Sequence, residues 1–270
     1  MVAQNRRGER LRELARGHTY WRGRRGATMK RAEPVTGSAV ASEIAQFDAL
    51  AAQWWNPDGP MRELHRMNPT RIGWISARIR RHFRNGERLR LLDVGCGAGL
   101  ASEALARRGF DVLGLDAAAD AIAAGRAHAA AKGIALDYRV GTAEQLAVES
   151  ARFPVITALE VIEHVADPAS FMVSLAALLE PGGLLFVSTL NRTARSLVTA
   201  KIGAEYLLRL LPIGTHDWRK FVTPDEFSAH ARGAGLRVAD TAGMVPALLA
   251  GGWRTSRDLG VNYIAMAAKP

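Results

Sequence analysis

The residue types and spacing most able to do chemistry lie at the end of an apolar run. In "FPVITALEVIEHVADP", Phe153 to Pro168, the strand-like half stops at Leu159, and Glu160, Glu163 and His164 follow. If a helical turn begins there, these positions stand at i, i+3 and i+4 and share one face. Two carboxylates and an imidazole on one face could hold Mg²⁺ or a similar divalent cation, with positions left open for substrate oxygens. The same groups could instead form an acid/base set. A third reading is structural: the histidine packs or hydrogen-bonds at the polar start of a helix. These readings stay open at this level, and Glu160 is what exceeds a plain Glu-His pair.

A second constellation precedes it. "LLDVGCGAGL" places Gly95, Gly97 and Gly99 at the carboxyl end of an apolar strand, where glycine lets backbone approach a ligand closely. The spacing is GxGxG followed by Leu100, whereas a dinucleotide fingerprint wants glycine at that position. No Lys-Ser/Thr follows, so the loop is not a Walker phosphate cradle. Asp116 ends the next strand-like run, seventeen residues after Gly99, where a carboxylate can accept hydrogen bonds from a ribose diol. With Asp93 before the loop and "GTAEQL" after the third strand, the set closely resembles a class I S-adenosylmethionine-dependent methyltransferase. That resemblance implies Gly95 and Gly97 under the methionine moiety, Asp116 on the ribose and Thr142–Gln145 near the adenine. Cys96, inside the loop, reads as a small buried filler rather than a nucleophile.

These residues need a scaffold, and the text around them supplies one. From Leu89 onward, apolar strand-like runs ("RLRLLDVG", "FDVLGLDA", "IALDYRVG", "FPVITALE", "LLFVSTLN") alternate with helix-like segments. The last of these, "DPASFMVSLAALLEPGG", has Asp167 as N-cap and Pro168 at N1 and is expected to stop at Gly182. Such alternation predicts an α/β fold, a doubly wound, mostly parallel Rossmann-like sheet. Around it are expected an N-terminal helical cap over 39–85, a helical insertion over 191–234 after the fifth strand, and a terminal strand pair within 235–270. Residues 39–270 are read as one domain.

Charge separates that domain from what precedes it. Ten of the 36 Lys and Arg lie in the first 31 residues against two acids, leaving 26 basic and 24 acidic residues for the remainder. The near-neutral body gives no nucleic-acid footprint despite the net charge of +10. Residues 1–38 lack the apolar stretch of a secretory signal and read as a basic, disordered leader, or over 1–28 as a start-site artefact ahead of Met29. A single cysteine excludes an intrachain disulfide framework and fits a reducing cytoplasm.

Four further segments narrow the resemblance: "EIAQFDALAAQWWNPDGPMRELHRMNPTRIGWI", "ALEVIEHVADP", "STLNRTARSLVTAKIGAEYLLRLLPIGTHDWRKF" and "GVNYIAMA". Together they are similar to the ubiquinone-biosynthesis O-methyltransferases, over about residues 40–270. The resemblance implies S-adenosylmethionine as methyl donor and polyprenylated phenols or quinols as substrates: 3-demethylubiquinol, and 2-polyprenyl-6-hydroxyphenol. It implies Arg71, after the Asn-Pro pair, on the methionine end of the cofactor, and Leu159 in the cofactor-binding set. A phenol with a pKa of about 10 is little ionised at neutral pH, so a metal or base at Glu160, Glu163 and His164 would assist. His216, in "GTHDW", is a second acid/base candidate or a loop histidine bonded to Asp217. The alternatives are another class I small-molecule methyltransferase and, disfavoured by the loop spacing, a nicotinamide-dependent oxidoreductase. Other enzymes of the ubiquinone pathway are a further partner class.

Residues 196–212 are too short and too charged to span a bilayer. Lys201, Glu205 and Arg209 recur every four residues against Leu197, Val198, Ile202, Tyr206, Leu208, Leu210 and Leu211. The expectation is an interfacial helix that binds the inner membrane peripherally and meets substrates carrying apolar tails. A Leu208→Glu, Leu211→Glu double variant should be recovered with liposomes less than wild type in a flotation assay; equal recovery would remove this role.

Overall fold

A computed structural model of the chain describes residues 37–83, 88–198, 218–247 and 252–270. The basic leader up to residue 36, His216 and residues 199–212 of the amphipathic stretch lie outside the described residues.

Five strands form the parallel part of the sheet: β1 (Arg90–Val94), β2 (Asp111–Asp116), β3 (Asp137–Val140), β4 (Phe153–Leu159) and β5 (Leu179–Leu190). With β6 (Arg237–Pro246), β7 (Trp253–Ser256) and β8 (Asn262–Ala268), the order is β3-β2-β1-β4-β5-β8-β6-β7. Strand β1 pairs in parallel with both β2 and β4, so the strand order reverses at β1. In a doubly wound sheet, ligands sit beyond the carboxyl ends of the strands at such a point.

Near-continuous apolar strands require cover on both faces. Leu91, Val155 and Phe186 pack with Ile72, Ile75 and Ile79 of α2 (Arg62–His82) and Leu105 of α3 (Leu100–Ala106). Leu92, Ile156 and Val187 face the other way, toward Phe171 and Leu175 of α6 (Pro168–Leu178) and Phe227 of α7 (Pro224–Gly233). Two more helices complete the crossovers, α4 (Ala119–Ala131) and α5 (Ala143–Val148), while α1 (Ala41–Leu50) belongs to the N-terminal cap.

Several boundaries differ from the sequence expectation. Helix α6 starts as expected, with Asp167 accepting from the Ala169 amide at 2.9 Å, but ends at Leu178 rather than Gly182. Pro181 disfavours helical backbone at Glu180, and Leu179 already pairs with Phe153. Residues 224–233, placed within the insertion by sequence, form α7, which starts in a Thr223–Glu226 capping box and packs into the core. The terminal strands pair antiparallel as expected, with β8 between β5 and β6. Strand β7, which the sequence reading missed, pairs with β6 at the sheet edge and is half exposed.

One polar link crosses this core. Asp93 of β1 is 1 % exposed and accepts from Ser102 Oγ of α3 at 2.6 Å and from Thr157 Oγ1 of β4 at 2.7 Å. Burial raises its pKa, and the two hydroxyl donors oppose that rise. Thr157→Val keeps the shape but leaves one carboxyl oxygen without its donor, a loss of ~1–3 kcal/mol. Urea unfolding followed by circular dichroism should show that loss, whereas an unchanged midpoint would mean that the hydroxyl contributes nothing.

Candidate functional site

The glycine turn after β1 folds back on β2. Gly95 and Cys96 amides donate to Leu115 O, and the Gly97 amide donates to Asp116 Oδ2 at 2.6 Å. Asp116 Oδ1 accepts from the Ala118 amide at 2.8 Å, so its carboxylate is locked at the end of β2 while burial raises its pKa. Gly97 has φ +54°, and a Cβ there would lie 2.1 Å from Cζ2 of Trp54. A side chain at Gly97 is therefore excluded twice, by backbone conformation and by the indole. Cys96 is buried and its thiol pKa is pushed well up by desolvation, so it is the inert filler expected. The segment after β3 forms a capping box, with Thr142 and Gln145 bonded reciprocally, and the Gly141 amide bonds to Asp116 O. Residues 142–145 thus stand beside Asp116.

Arg71 reaches the same end of the sheet from α2. It is 3 % exposed, and its Nε donates to Asn68 Oδ1 at 3.0 Å while Asn68 donates to Leu100 O at the end of the turn. Its Nη1 lies 3.9 Å from Glu160 Oε1, too far for a hydrogen bond, and has no hydrogen-bond partner. A desolvated guanidinium with an orphaned N–H, next to a turn that tolerates no Cβ at Gly97, fits a ligand carboxylate. Asp116, on the other side of the turn, fits a diol. The donor set and the cradle therefore suit the S-adenosylmethionine implied by the sequence. Leu159 is buried at the last position of β4.

The three residues beyond β4 do not continue as an α-helix. Glu160 adopts φ +57°, a left-handed conformation costly for a side chain of this kind, and Ile162–His164 forms a 3₁₀ turn rather than an α-helix. Glu160 Oε1 accepts from Ser188 Oγ at 2.6 Å, and Glu163 Oε2 accepts from Thr189 Oγ1 at 2.9 Å. His164 Nδ1 instead lies 3.0 Å from Glu43 Oε2, and its ring meets Phe47 edge-on at 5.3 Å. Among the described residues no group of three or more His, Cys, Asp or Glu side chains is arranged to hold a metal ion. The expected α-helical continuation is thereby corrected to a 3₁₀ turn, with Glu160 close enough to act electrostatically on both Glu163 and His164.

What the arrangement offers is a pair of differently tuned acid/base groups. Glu163 is 4 % exposed, and burial, reinforced by the neighbouring Glu160 carboxylate, pushes its pKa up to about 8. Burial lowers the His164 pKa, with Glu43 opposing, which favours the neutral ring near pH 7. Glu43 Oε1 is also bonded to Lys220 Nζ at 2.9 Å, so α1 and the segment just before α7 meet at one carboxylate. A cavity of about 350 Å³ opens beside Glu163, lined by Ile162, Arg192, Phe221, Val222 and Glu226 among others. Sequence reasoning missed Glu43, Lys220 and the hydroxyl pair Ser188–Thr189. Only the last left a local trace, as the "ST" that closes the apolar run of β5.

Comparison with known proteins identifies the family. A family profile described as "Methyltransferase domain" matches residues 64–241. The ubiquinone biosynthesis O-methyltransferase of Methylobacterium nodulans is 48% identical over 244 residues, covering 87% of this chain and 98% of that protein. The protein of the same name from Cereibacter sphaeroides is 46% identical, covering 87% and 99%. Among solved structures, a possible histamine N-methyltransferase from Thermotoga maritima aligns with a TM-score of 0.59 at 14% identity, covering 84% of this chain and all of the other. Magnesium protoporphyrin IX methyltransferase from Synechocystis, solved with S-adenosylmethionine bound, aligns with a TM-score of 0.57 at 17% identity, over 87% and 100% of the two chains. At such identities these structures share the fold.

The raised Glu163 pKa gives stability a definite pH dependence. A carboxyl that is more basic folded than unfolded stabilises the fold fully below its ordinary pKa of 4.5, and that contribution is lost as the pH rises through about 8. Glu163→Gln cannot ionise, so its urea midpoint should fall less than that of wild type across this window. Parallel midpoint profiles would show that Glu163 is not held protonated by the fold.

Proposed function

The chain belongs to the ubiquinone biosynthesis O-methyltransferase family, and from that premise we propose that it methylates phenolic hydroxyls of polyprenylated intermediates. The substrates proposed are 3-demethylubiquinol and 2-polyprenyl-6-hydroxyphenol. The observation that carries the site assignment is the buried, partner-short guanidinium of Arg71 beside the Gly95–Gly99 turn, with Asp116 across it. When bound, S-adenosylmethionine supplies an electrophilic sulfonium methyl.

The chain's own residues then have separable tasks. Arg71 holds the carboxylate of the amino-acid end, Gly95 and Gly97 let the backbone lie against it, and Asp116 takes the ribose hydroxyls. Leu159 walls the site at the end of β4. Placing the phenolic oxygen in line with the methyl group supplies much of the rate, because attack is then effectively unimolecular. A base must take the phenolic proton. His164 is suited to this: Glu43 at Nδ1 favours the tautomer that leaves Nε2 basic, and burial keeps the ring neutral near pH 7. Glu163, protonated at the same pH, suits a hydrogen-bond donor to the neighbouring substrate oxygen, with Glu160 beside it. His216 is the second acid/base candidate, outside the described residues.

The cavity beside Glu163 has the size of a single aromatic head and an apolar wall in Phe221 and Val222. A polyprenyl tail must leave such a cavity toward an apolar phase, which supports peripheral contact with the inner membrane through residues 196–212. No helix among the described residues is long and apolar enough to cross a membrane.

The test is methyl transfer from labelled S-adenosylmethionine to a short-chain demethylubiquinol, with the methyl ether identified by mass spectrometry. Wild type should produce it, and His164→Ala should lower kcat by ~10²–10⁴-fold while S-adenosylhomocysteine affinity is retained. Wild-type kcat in that variant would remove His164 as the base, and no methyl ether from wild type would remove the substrate class.

A further inference from the structure

The N-terminal cap contributes two adjacent tryptophans that behave differently. Trp55 is satisfied: its Nε1 donates to Ala98 O at 3.2 Å, and its ring stacks on His128 with centroids 3.5 Å apart and planes 7° from parallel. Trp54 is the more buried, at 6 % exposure, packed with Met61, Ala98, Leu100 and Ala118. His65 Nε2 lies 2.9 Å from its carbonyl oxygen and anchors its backbone to α2. Yet its indole N–H is buried with no hydrogen-bond partner.

An indole N–H is a donor only, and leaving it unpaired away from water costs free energy that a fold ordinarily avoids. The ring atoms nearest a Cβ on Gly97 are Cζ2, Cη2 and Cε2, at 2.1, 2.5 and 2.9 Å, so the indole lies largely face-on against the glycine, and Cε2 is the carbon bonded to Nε1. The orphaned donor is therefore carried by a ring packed directly on the glycine turn. Arg71 Nη1, the other orphaned cationic or N–H donor at this turn, approaches it from α2 by way of Asn68 and Leu100. Among the described residues, three buried donors without acceptors surround this turn: Trp54 Nε1, Arg71 Nη1 and, against Gly99, the Tyr138 hydroxyl. The missing partner is an acceptor, and an anionic one balances the guanidinium.

We propose that Trp54 is a cofactor-binding residue, its indole N–H donating to the carboxylate of the amino-acid end of S-adenosylmethionine alongside Arg71. This rests on the methyltransferase reading above and adds to it a residue from the cap. The cap then closes on the cofactor by a directed hydrogen bond as well as by apolar packing. Trp55 and His128 fasten the cap to the turn independently of the cofactor.

The experiment compares two ligands in calorimetric titrations of the full chain. S-adenosylhomocysteine carries the amino-acid end; 5′-methylthioadenosine has the same adenine, ribose and thioether without it. Trp54→Phe keeps an aromatic ring and removes the N–H, and Trp54→Leu repeats the removal without a ring. Both should bind S-adenosylhomocysteine about tenfold more weakly, the scale of one hydrogen bond to a charged group, and 5′-methylthioadenosine within about twofold of wild type. Melting of the ligand-free variants, read by circular dichroism, should stay a single cooperative transition, lowered by the buried volume lost. Equal weakening for both ligands, or none for either, would overturn the proposal in favour of a packing role. A wild-type chain that binds neither ligand would overturn the methyltransferase reading and this inference with it, an outcome distinct from a ligand-independent effect in the variants.

Discussion

A guanidinium stripped of water and left one hydrogen bond short is expensive, and the structure around Arg71 holds it in that state. Helix α2 fixes its position by packing Ile72, Ile75 and Ile79 against the sheet, so the side chain has no route to solvent. Asn68 takes its Nε and ties it to Leu100, which sets the distance between α2 and the end of the glycine turn. Glu160 offers charge at 3.9 Å without a hydrogen bond. Packing of the core thus holds an arrangement that an anionic ligand would complete, the role proposed for Arg71.

The buried carboxylates follow from the same constraint. Asp93, Asp116 and Glu163 all lie at the carboxyl ends of β1, β2 and β4, where desolvation favours their neutral forms. Each is held by named donors: Ser102 and Thr157, the Gly97 and Ala118 amides, and Thr189. The left-handed backbone at Glu160 is part of this arrangement. It turns the chain out of β4 abruptly enough that Glu160 meets Ser188 while Glu163 enters the interior. An α-helical continuation would have carried both carboxylates along one face, and neither hydroxyl of β5 would have met its partner.

What the sequence disclosed and what it hid divide along a physical line. The parallel sheet was legible because buried strands are written as apolar runs and glycine turns are written as glycines. The cofactor loop was legible for the same reason: Gly97 is required by its own backbone conformation, which is a local property. The 3₁₀ turn at 162–164 was hidden, because its geometry is set by the pairing of β4 with β5 and not by propensity within "EVIEHV". The end of α6 was misplaced by four residues although Pro181 was in plain view, since the strand pairing of Leu179 begins before the proline. Glu43 was invisible as a functional group, standing 121 residues from His164 on a helix that reads as ordinary amphipathic text.

That last contact bears on how the cap and the catalytic turn work together. Glu43 is on α1, His164 on the turn after β4, and Lys220 on the segment just before α7. One carboxylate serves both the imidazole and the ammonium, so displacing α1 would release His164 from Glu43 and Lys220 from its counter-ion at once. The apolar side of the same helix meets the same histidine through Phe47. Ser38, just before α1, holds the Glu144 carboxylate beside the Asp116 end of the site, and its carbonyl accepts the Ala166 amide. The cap therefore touches the cofactor turn through its tryptophans, the 142–145 loop through Ser38 and the acid/base turn through Glu43. A segment with contacts of this kind at three points does more than exclude water. It ties the Trp54 side of the glycine turn and the Glu43–His164 contact to one helix, so a change in the position of α1 would reach both at once.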